Sequence, residues 1–147
     1  MFGSLDISTS GLVAQRTRMT AIADNIANQS TLLAPNGSYA PFRERAVLFS
    51  AGDPTNGSEQ GVTARVVQQE SFRWADPRDP AEQIPKHVAE AARKAGMVNN
   101  EGLVRVPDID EVAQFVDAME ALRSYEANIS VADATKRMID SSLQLLA

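Results

Sequence analysis

His87 is the sole histidine of the chain, so any catalytic triad built on an imidazole base would have to run through it. It would need a nucleophile. None of the serines stands in the Gly-x-Ser-x-Gly pattern that lifts a hydroxyl out of a strand-to-helix turn. A lone histidine on a short helical stretch is ordinarily a surface residue. The paired carboxylates Asp108 and Asp110, or Asp110 and Glu111, sit where a helix begins, and acids are favoured there by the helix dipole. Gly52, Gly57 and Gly61 are spread through a polar loop without the lysine and hydroxyl of a phosphate cradle. The missing cysteines exclude disulfides and thiolate metal sites. No catalytic, cofactor-binding or metal-ligating set emerges, so the expectation is a protein that is not an enzyme and needs no cofactor.

The elements that would position any site carry more information. Between Ser10 and Thr31 the chain reads as an amphipathic helix: Leu5, Leu12, Met19 and Ile26 recur at a spacing of seven, with Ile22 and Ala23 beside them. Gln15 is the polar member of that stripe. Gly11, Ala14, Ala21, Ala23 and Ala27 are small enough to admit a close neighbour, and Ser8, Thr9 or Ser10 is expected to cap the start. The other long helix is expected from about Asp110 to Ala147. One heptad position holds Phe115, Leu122, Ile129, Lys136 and Leu143, and its partner position holds Ala118, Tyr125, Ala132, Ile139 and Leu146. Val112, Met119 and Met138 widen this seam. At 1.5 Å per residue, ~35 helical residues span roughly 50 Å, which calls for a partner helix. The N-terminal stripe is the intramolecular candidate.

Residues 32–41, with Pro35, Asn36-Gly37 and Pro41, break the first helix. Residues 42–50 and 62–74 read as two short strands around a polar loop at 52–61. Two strands alone are marginal in water and must lean on something else. A proline-rich connector at 75–85 precedes a short helix from Lys86 to Ala95, with Val88, Ala91, Ala92 and Ala95 at helical spacing and Gly96 closing it. Pro107 ends an extended piece before the last helix. The fold class expected is mainly α: long N- and C-terminal helices forming a coiled-coil-like pair, with a small β-containing central segment. Its divisions would be 1-34, 35-107 and 108-147.

The wording of the first helix, SGLVAQRTRMTAIADNIANQST, resembles the N-terminal signature of the flagellar axial proteins, on Ser10, Gly11, Leu12, Ala14, Gln15, Met19, Ile22, Ala23, Asn25, Ile26, Ala27, Asn28 and Thr31. A second stretch, AMEALRSYEANISV from Ala118 to Val131, is similar to the family's C-terminal signature, on Ala121, Arg123, Tyr125, Glu126, Ala127 and Asn128. Pro41-Phe42-Arg43, with Phe in place of the usual Tyr, and the Asp76-Pro77 and Asp79-Pro80 segment resemble the proximal rod subgroup of the flagellar basal-body rod family. Residues 81–99 look like an insertion relative to that subgroup.

The resemblance implies a structural rod subunit whose terminal helices pack in concentric layers around an export channel, through head-to-tail contacts that leave an open array. The assembly interface it implies comprises Leu5, Ser10, Gly11, Leu12, Gln15, Met19, Ile22, Asn25, Ile26 and Asn28, with Phe115, Met119, Leu122, Tyr125, Asn128, Ile129, Ile139 and Leu143. Gln15, Asn25, Asn28 and Asn128 would supply register-fixing hydrogen bonds. Implied partners are copies of the chain, sibling rod subunits and the flagellar type III export apparatus. The implied location is the rod in the periplasmic space, reached without a cleaved signal peptide. Terminal helices that order only on assembly are part of the same picture.

Charge agrees with this reading. Residues 1–39 balance, residues 40–107 carry nine acids and nine bases, and the net charge of -5 lies wholly in the last forty residues. Nucleic-acid binding would need a basic stripe, and the sequence offers none. No apolar run is long enough for a membrane span. A soluble helical hairpin acting as an adaptor or chaperone for a partner helix is the alternative that the seam alone would allow.

Overall fold

The computed structural model describes residues 2–53 and 58–146. Seven elements follow in order: helix α1 (Phe2–Asn28), strands β1 (Glu44–Asp53), β2 (Ser58–Gln69) and β3 (Phe72–Ala75), helix α2 (Lys86–Lys94), strand β4 (Val104–Pro107) and helix α3 (Glu111–Leu146). The chain is mainly α, with long helices at its two ends and two-stranded sheets, β1–β2 and β3–β4, between them. Its contacts divide into two compact units. One contains residues 1–23, 46–67 and 112–147; the other contains 24–45 and 68–111.

The first unit holds α1 to residue 23, most of the β1–β2 ribbon and α3. The expected start of the first helix is corrected by the structure. The helix begins at Phe2, not around Ser10. The hydroxyls expected to cap it bond backwards instead: Ser8 Oγ donates to the Ser4 carbonyl at 3.1 Å, and Ser10 Oγ to that of Ile7 at 2.7 Å. Serine inside a helix commonly satisfies its hydroxyl in this way. Ser10 Oγ also accepts the Val62 backbone N–H at 3.0 Å, which ties α1 to the ribbon. Gly61, at φ +96°, makes that approach possible, because a Cβ there would lie 2.7 Å from Ser10 Oγ.

The second unit has a small apolar core. Tyr39, Ala75, Ile84, Val88, Ala92, Val104 and Val106 cluster there, with Leu32, Leu33, Ala91 and Val98 packed around them. β3 and β4 run antiparallel with Phe72 opposite Pro107 and Ala75 opposite Val104. The single strand expected over 62–74 is therefore two. Its alternation fades at Gln68 and Gln69 because the chain leaves one sheet there and re-enters another at Phe72. Part of the expected loop at 52–61 is likewise strand, on both sides of residues 54–57, which lie outside the described residues.

The Asp-Pro segment makes two Asx turns, in which Asp76 Oδ1 accepts the Arg78 N–H and Asp79 Oδ1 that of Ala81, both at 2.9 Å. α2 stands where the sequence placed it and packs on β4. It buries Val88, Ala89 and Ala92, while Ala95 is its exposed C-cap. The Met97 N–H reaches back to the Ala92 carbonyl at 3.0 Å and that of Gly96 to Arg93 at 3.1 Å, with Gly96 at φ 69°; this is the Schellman ending that glycine favours. The segment that looked like an insertion thus supplies Ile84, Val88 and Ala92 to the core.

Candidate assembly interface

Along α3 the side chains that turn inward recur at the heptad spacing, and apart from Tyr125 and Ile139 they are small or polar. Gln114 and Ala121 are buried, and Ala118, Tyr125, Asn128, Ala132, Thr135, Ile139 and Ser142 are half-buried. α1 answers with Ser8, Gly11, Ala14, Ala21 and Ile22, all buried. Two contacts fix the pairing. A Cβ at Gly11 would lie 2.9 Å from Asn128 Nδ2 and 3.1 Å from its Cγ, so the helices meet there almost backbone to side chain. One turn and more along, Arg18 reaches Asp117 at 3.5 Å and Glu120 at 3.3 Å. As residue number rises in α1 it falls in α3, so the helices run antiparallel.

The other heptad position of the expected seam, that of Phe115, is not turned inward. Phe115, Leu122, Ile129 and Leu143 are exposed, as are Met119, Val112, Val116, Val131, Met138 and Leu145. Lys136, which interrupts that position in the sequence, is exposed as well, and the Leu146 side chain lies outside the described residues. The physical reason is plain: a helix approached as closely as Gly11 and Asn128 require admits Ala118, Ala121 and Ala132 at its contact line, not phenylalanine or leucine. On α1, Leu5, Ser10, Leu12, Gln15, Met19, Ile26 and Asn28 are half-buried, while Ile22 and Asn25 are buried.

Three of the four polar side chains expected to fix register find partners within the chain. Asn25, in the second unit, accepts the Arg45 N–H at 2.8 Å and donates to the Arg45 carbonyl at 2.9 Å, so its amide acts as a short stretch of neighbouring strand. Asp24 pairs with the Arg45 guanidinium beside it. Asn28 donates to the Asp24 carbonyl at 2.9 Å and accepts from Thr31 Oγ1 at 3.2 Å, closing the end of α1. Asn128 Nδ2 donates to the Ser124 carbonyl at 3.0 Å. Gln15 differs: its Oε1 is enclosed without a hydrogen-bond partner.

Among the described residues, the candidates for chemistry are not brought together. His87 is exposed on α2. Asp108 exchanges bonds with Ser71, its N–H to the Ser71 carbonyl at 3.1 Å and its carbonyl accepting from Ser71 Oγ at 2.8 Å, a structural use of the strand end. Among the described residues no three acids or histidines are grouped to hold a metal ion, and no helix is long and apolar enough to cross a membrane. In the second unit a groove of about 610 Å³ runs between Leu32, Leu33, Ile84, Val88 and Pro107, with the Arg73–Glu82 ion pair, 2.6 Å, at its edge. That pair holds the Glu82 carboxyl below the usual carboxylate range, chiefly through the guanidinium hydrogen bond. Spacing along the sequence does not reveal this groove, because its walls come from four separated stretches, at 29–33, 73, 81–88 and 106–107.

What the chain offers, then, is surface for packing. Residues 5–31 match the family model described as flagella basal body rod protein. The match extends over the whole length in named relatives: flagellar basal-body rod protein FlgC of Borreliella burgdorferi is 31% identical, covering 99% of this chain and 97% of its own. The Bacillus subtilis protein of the same name is 30% identical over 98% and 97%, and that of Salmonella typhimurium 31% over 95% and 93%. The chain belongs to the FlgC family of flagellar basal-body rod proteins. It is a structural subunit of that rod, not an enzyme, and a rod subunit assembles with copies of itself and other rod components.

Proposed function

We propose that the chain polymerises through its two terminal helices, which act as the assembly parts, 1-34 and 108-147, on either side of a central segment, 35-107. One observation carries this reading. A 36-residue helix keeps alanines against its intramolecular partner and leaves Phe115, Met119, Leu122 and Ile129 in solvent. Large contiguous apolar exposure is uncommon on monomers and marks contact surfaces. Each such side chain, already about half covered, contributes roughly half of the ~1.5–3 kcal/mol of full burial when a neighbour covers the rest. Tyr125, Ile139, Leu143 and the α1 positions Leu5, Leu12, Met19 and Ile26, all partly open, extend the same interface.

The export route belongs to this proposal too. The subunit passes through the flagellar type III apparatus in an extended state, without removal of a signal peptide, and joins the rod in the periplasmic space. Marginal pairing of two alanine-lined helices suits a chain that must unfold for passage and complete its packing at the growing end. The test is complementation of a strain lacking the gene, scored by swimming and by imaging of basal bodies. The unsubstituted chain restores both, whereas Leu122→Asp restores neither although it is still made. Normal swimming with Leu122→Asp would end the proposal.

A further inference from the structure

Gln15 breaks a rule that the rest of the chain keeps. Its Oε1 is enclosed and has no hydrogen-bond partner, and among the described residues no other buried side-chain oxygen or nitrogen is left so. Ser8 and Asn25, buried polar side chains of the same helix, are both bonded. Buried polar groups are nearly always paired, because a group stripped of water and given no partner loses its hydration without return.

The place of the exception gives it meaning. Ser8, Gly11, Gln15, Arg18 and Ile22 follow one another in alternating steps of three and four, a single line along α1. On either side of Gln15 that line is fixed by contacts to α3: Gly11 lies against Asn128, and Arg18 reaches Asp117 and Glu120. Gln15 therefore stands within the seam, opposite the stretch of α3 between Glu120 and Asn128. The innermost residue of that stretch is Ala121, fully buried, and an alanine methyl has no proton to give. The middle of a closely packed seam thus holds an amide oxygen with nothing to accept.

Such a group acts against the closed pair alone. With the helices apart, the Gln15 amide is hydrated like that of any exposed glutamine; with them together, its oxygen is dry and unpaired. An unpaired amide shifts an equilibrium of this kind about ten- to hundredfold. We infer that Gln15 is a release element: its unpaired carbonyl keeps the α1–α3 pair of a single chain near balance, so that the two helices part and re-pack as the subunit enters the rod. The inference rests on the proposal that the terminal helices are the assembly parts, and it assigns one residue the task of keeping them available. The rest of the seam makes so small an opposition effective. Ala14, Ala21 and Ala121 remove little apolar area from water when they are buried, and Gly11 weakens α1 from within.

Gln15→Met is the test, because methionine keeps the length, the flexibility and nearly the helix propensity of glutamine while removing the amide. In the isolated chain at low concentration, amide exchange along residues 5–23 and 112–135 is expected to slow about ten- to hundredfold. Gln144→Met, the same change at an exposed position of α3, leaves exchange as it was. In cells lacking the gene, Gln15→Met is expected to give fewer rods per cell and slower swimming than the parent chain, although its helices pair more firmly. The opposite signs mark a release element, since replacing a residue that merely packs would weaken pairing and assembly together. Exchange that is unchanged or faster in Gln15→Met overturns the inference, because the carbonyl would then have a donor in the folded chain. Slower exchange with rods and swimming at the parent's level overturns it as well, because assembly would make no use of the weakness. Rods that form normally with Leu122→Asp remove the underlying reading of the terminal helices instead.

Discussion

The two units of this chain solve the burial problem in opposite ways. The second unit puts its large apolar side chains inside: Val104 is 1% exposed, Val88 4% and Val106 5%, closed over by Tyr39 and α2. On α1 and α3 the first unit buries Ser8, Gly11, Ala14, Ala21, Gln114 and Ala121, with Ile22 as the one large apolar side chain among them, and leaves most of the phenylalanine, leucine, isoleucine and methionine of α3 outside. The β1–β2 ribbon, with Leu48, Phe49 and Val66 exposed, follows the same habit. A small core with a valine-rich strand pair is self-sufficient on a modest scale. An alanine seam is not, because each alanine removes little apolar area from water. One unit is finished within the chain; the other is the one we propose to be finished by its neighbours.

The largest expected effect breaks that contrast on the exposed apolar face of α3. Leu143→Asp places a charge there at a residue that is 61% exposed, so little packing inside the chain is lost. Swimming is expected to be lost, with the thermal unfolding of the isolated chain unchanged. A variant that swims normally would show that this face has no partner.

Hydrogen exchange sharpens the comparison without any substitution. In dilute monomer, amides of residues 1–30 and 115–147 are expected to exchange fast, and those of Phe72–Ala75, Lys86–Lys94 and Val104–Pro107 more slowly by orders of magnitude, since local opening follows local packing. Uniform slow exchange along both terminal helices would mean that α1 and α3 are complete by themselves.

A smaller effect lies in the core of the second unit. Val104→Ala removes two methyl groups from a site with no solvent access, and a destabilisation of about 2 kcal/mol is expected by chemical denaturation. Rod assembly should survive it. If Val104→Ala abolished assembly while Leu143→Asp did not, the roles assigned to the two units would be reversed.

Much of this contrast was legible in the sequence, and the part that was not has a physical cause. Heptad spacing placed both terminal helices, and proline with Gly96 placed α2. Periodicity could not tell which of two adjacent heptad positions on α3 faces α1. Phe115, Leu122 and Ile129 carry more apolar surface than the alanines, yet the close approach of the helices puts the small side chains inside, and the clue is Gly11, whose missing side chain lets Asn128 come into contact. The early start of α1 was hidden because Ser8 and Ser10, good caps in isolation, also satisfy themselves inside a helix. The resemblance places Asn25 in the assembly interface, where its amide would fix register. That its amide would copy a strand edge for Arg45 depends on a fold contact twenty residues away, which spacing alone does not reveal.

The finest probe of the self-contained unit is Tyr39. Its ring is 4% exposed and its hydroxyl donates to the Arg105 carbonyl at 2.6 Å. Burial pushes the phenol up from its ordinary 10 to about 12. Below pH ~10 the group is neutral in folded and unfolded chains alike, so its full contribution is present. Between pH 10 and 12 the unfolded chain ionises while the folded one resists, and stability must fall as pH rises through that window. Tyr39→Phe is expected to cost about 1 kcal/mol at neutral pH, the net worth of one hydrogen bond, and to flatten the alkaline decline relative to the parent. Denaturant midpoints followed by the fluorescence of Trp74, on β3 of the same unit, report both. An alkaline decline of unchanged steepness in Tyr39→Phe would mean that the phenol is not what limits this unit at high pH, whereas a shallower one ties the integrity of the inward-packed core to a single buried hydroxyl.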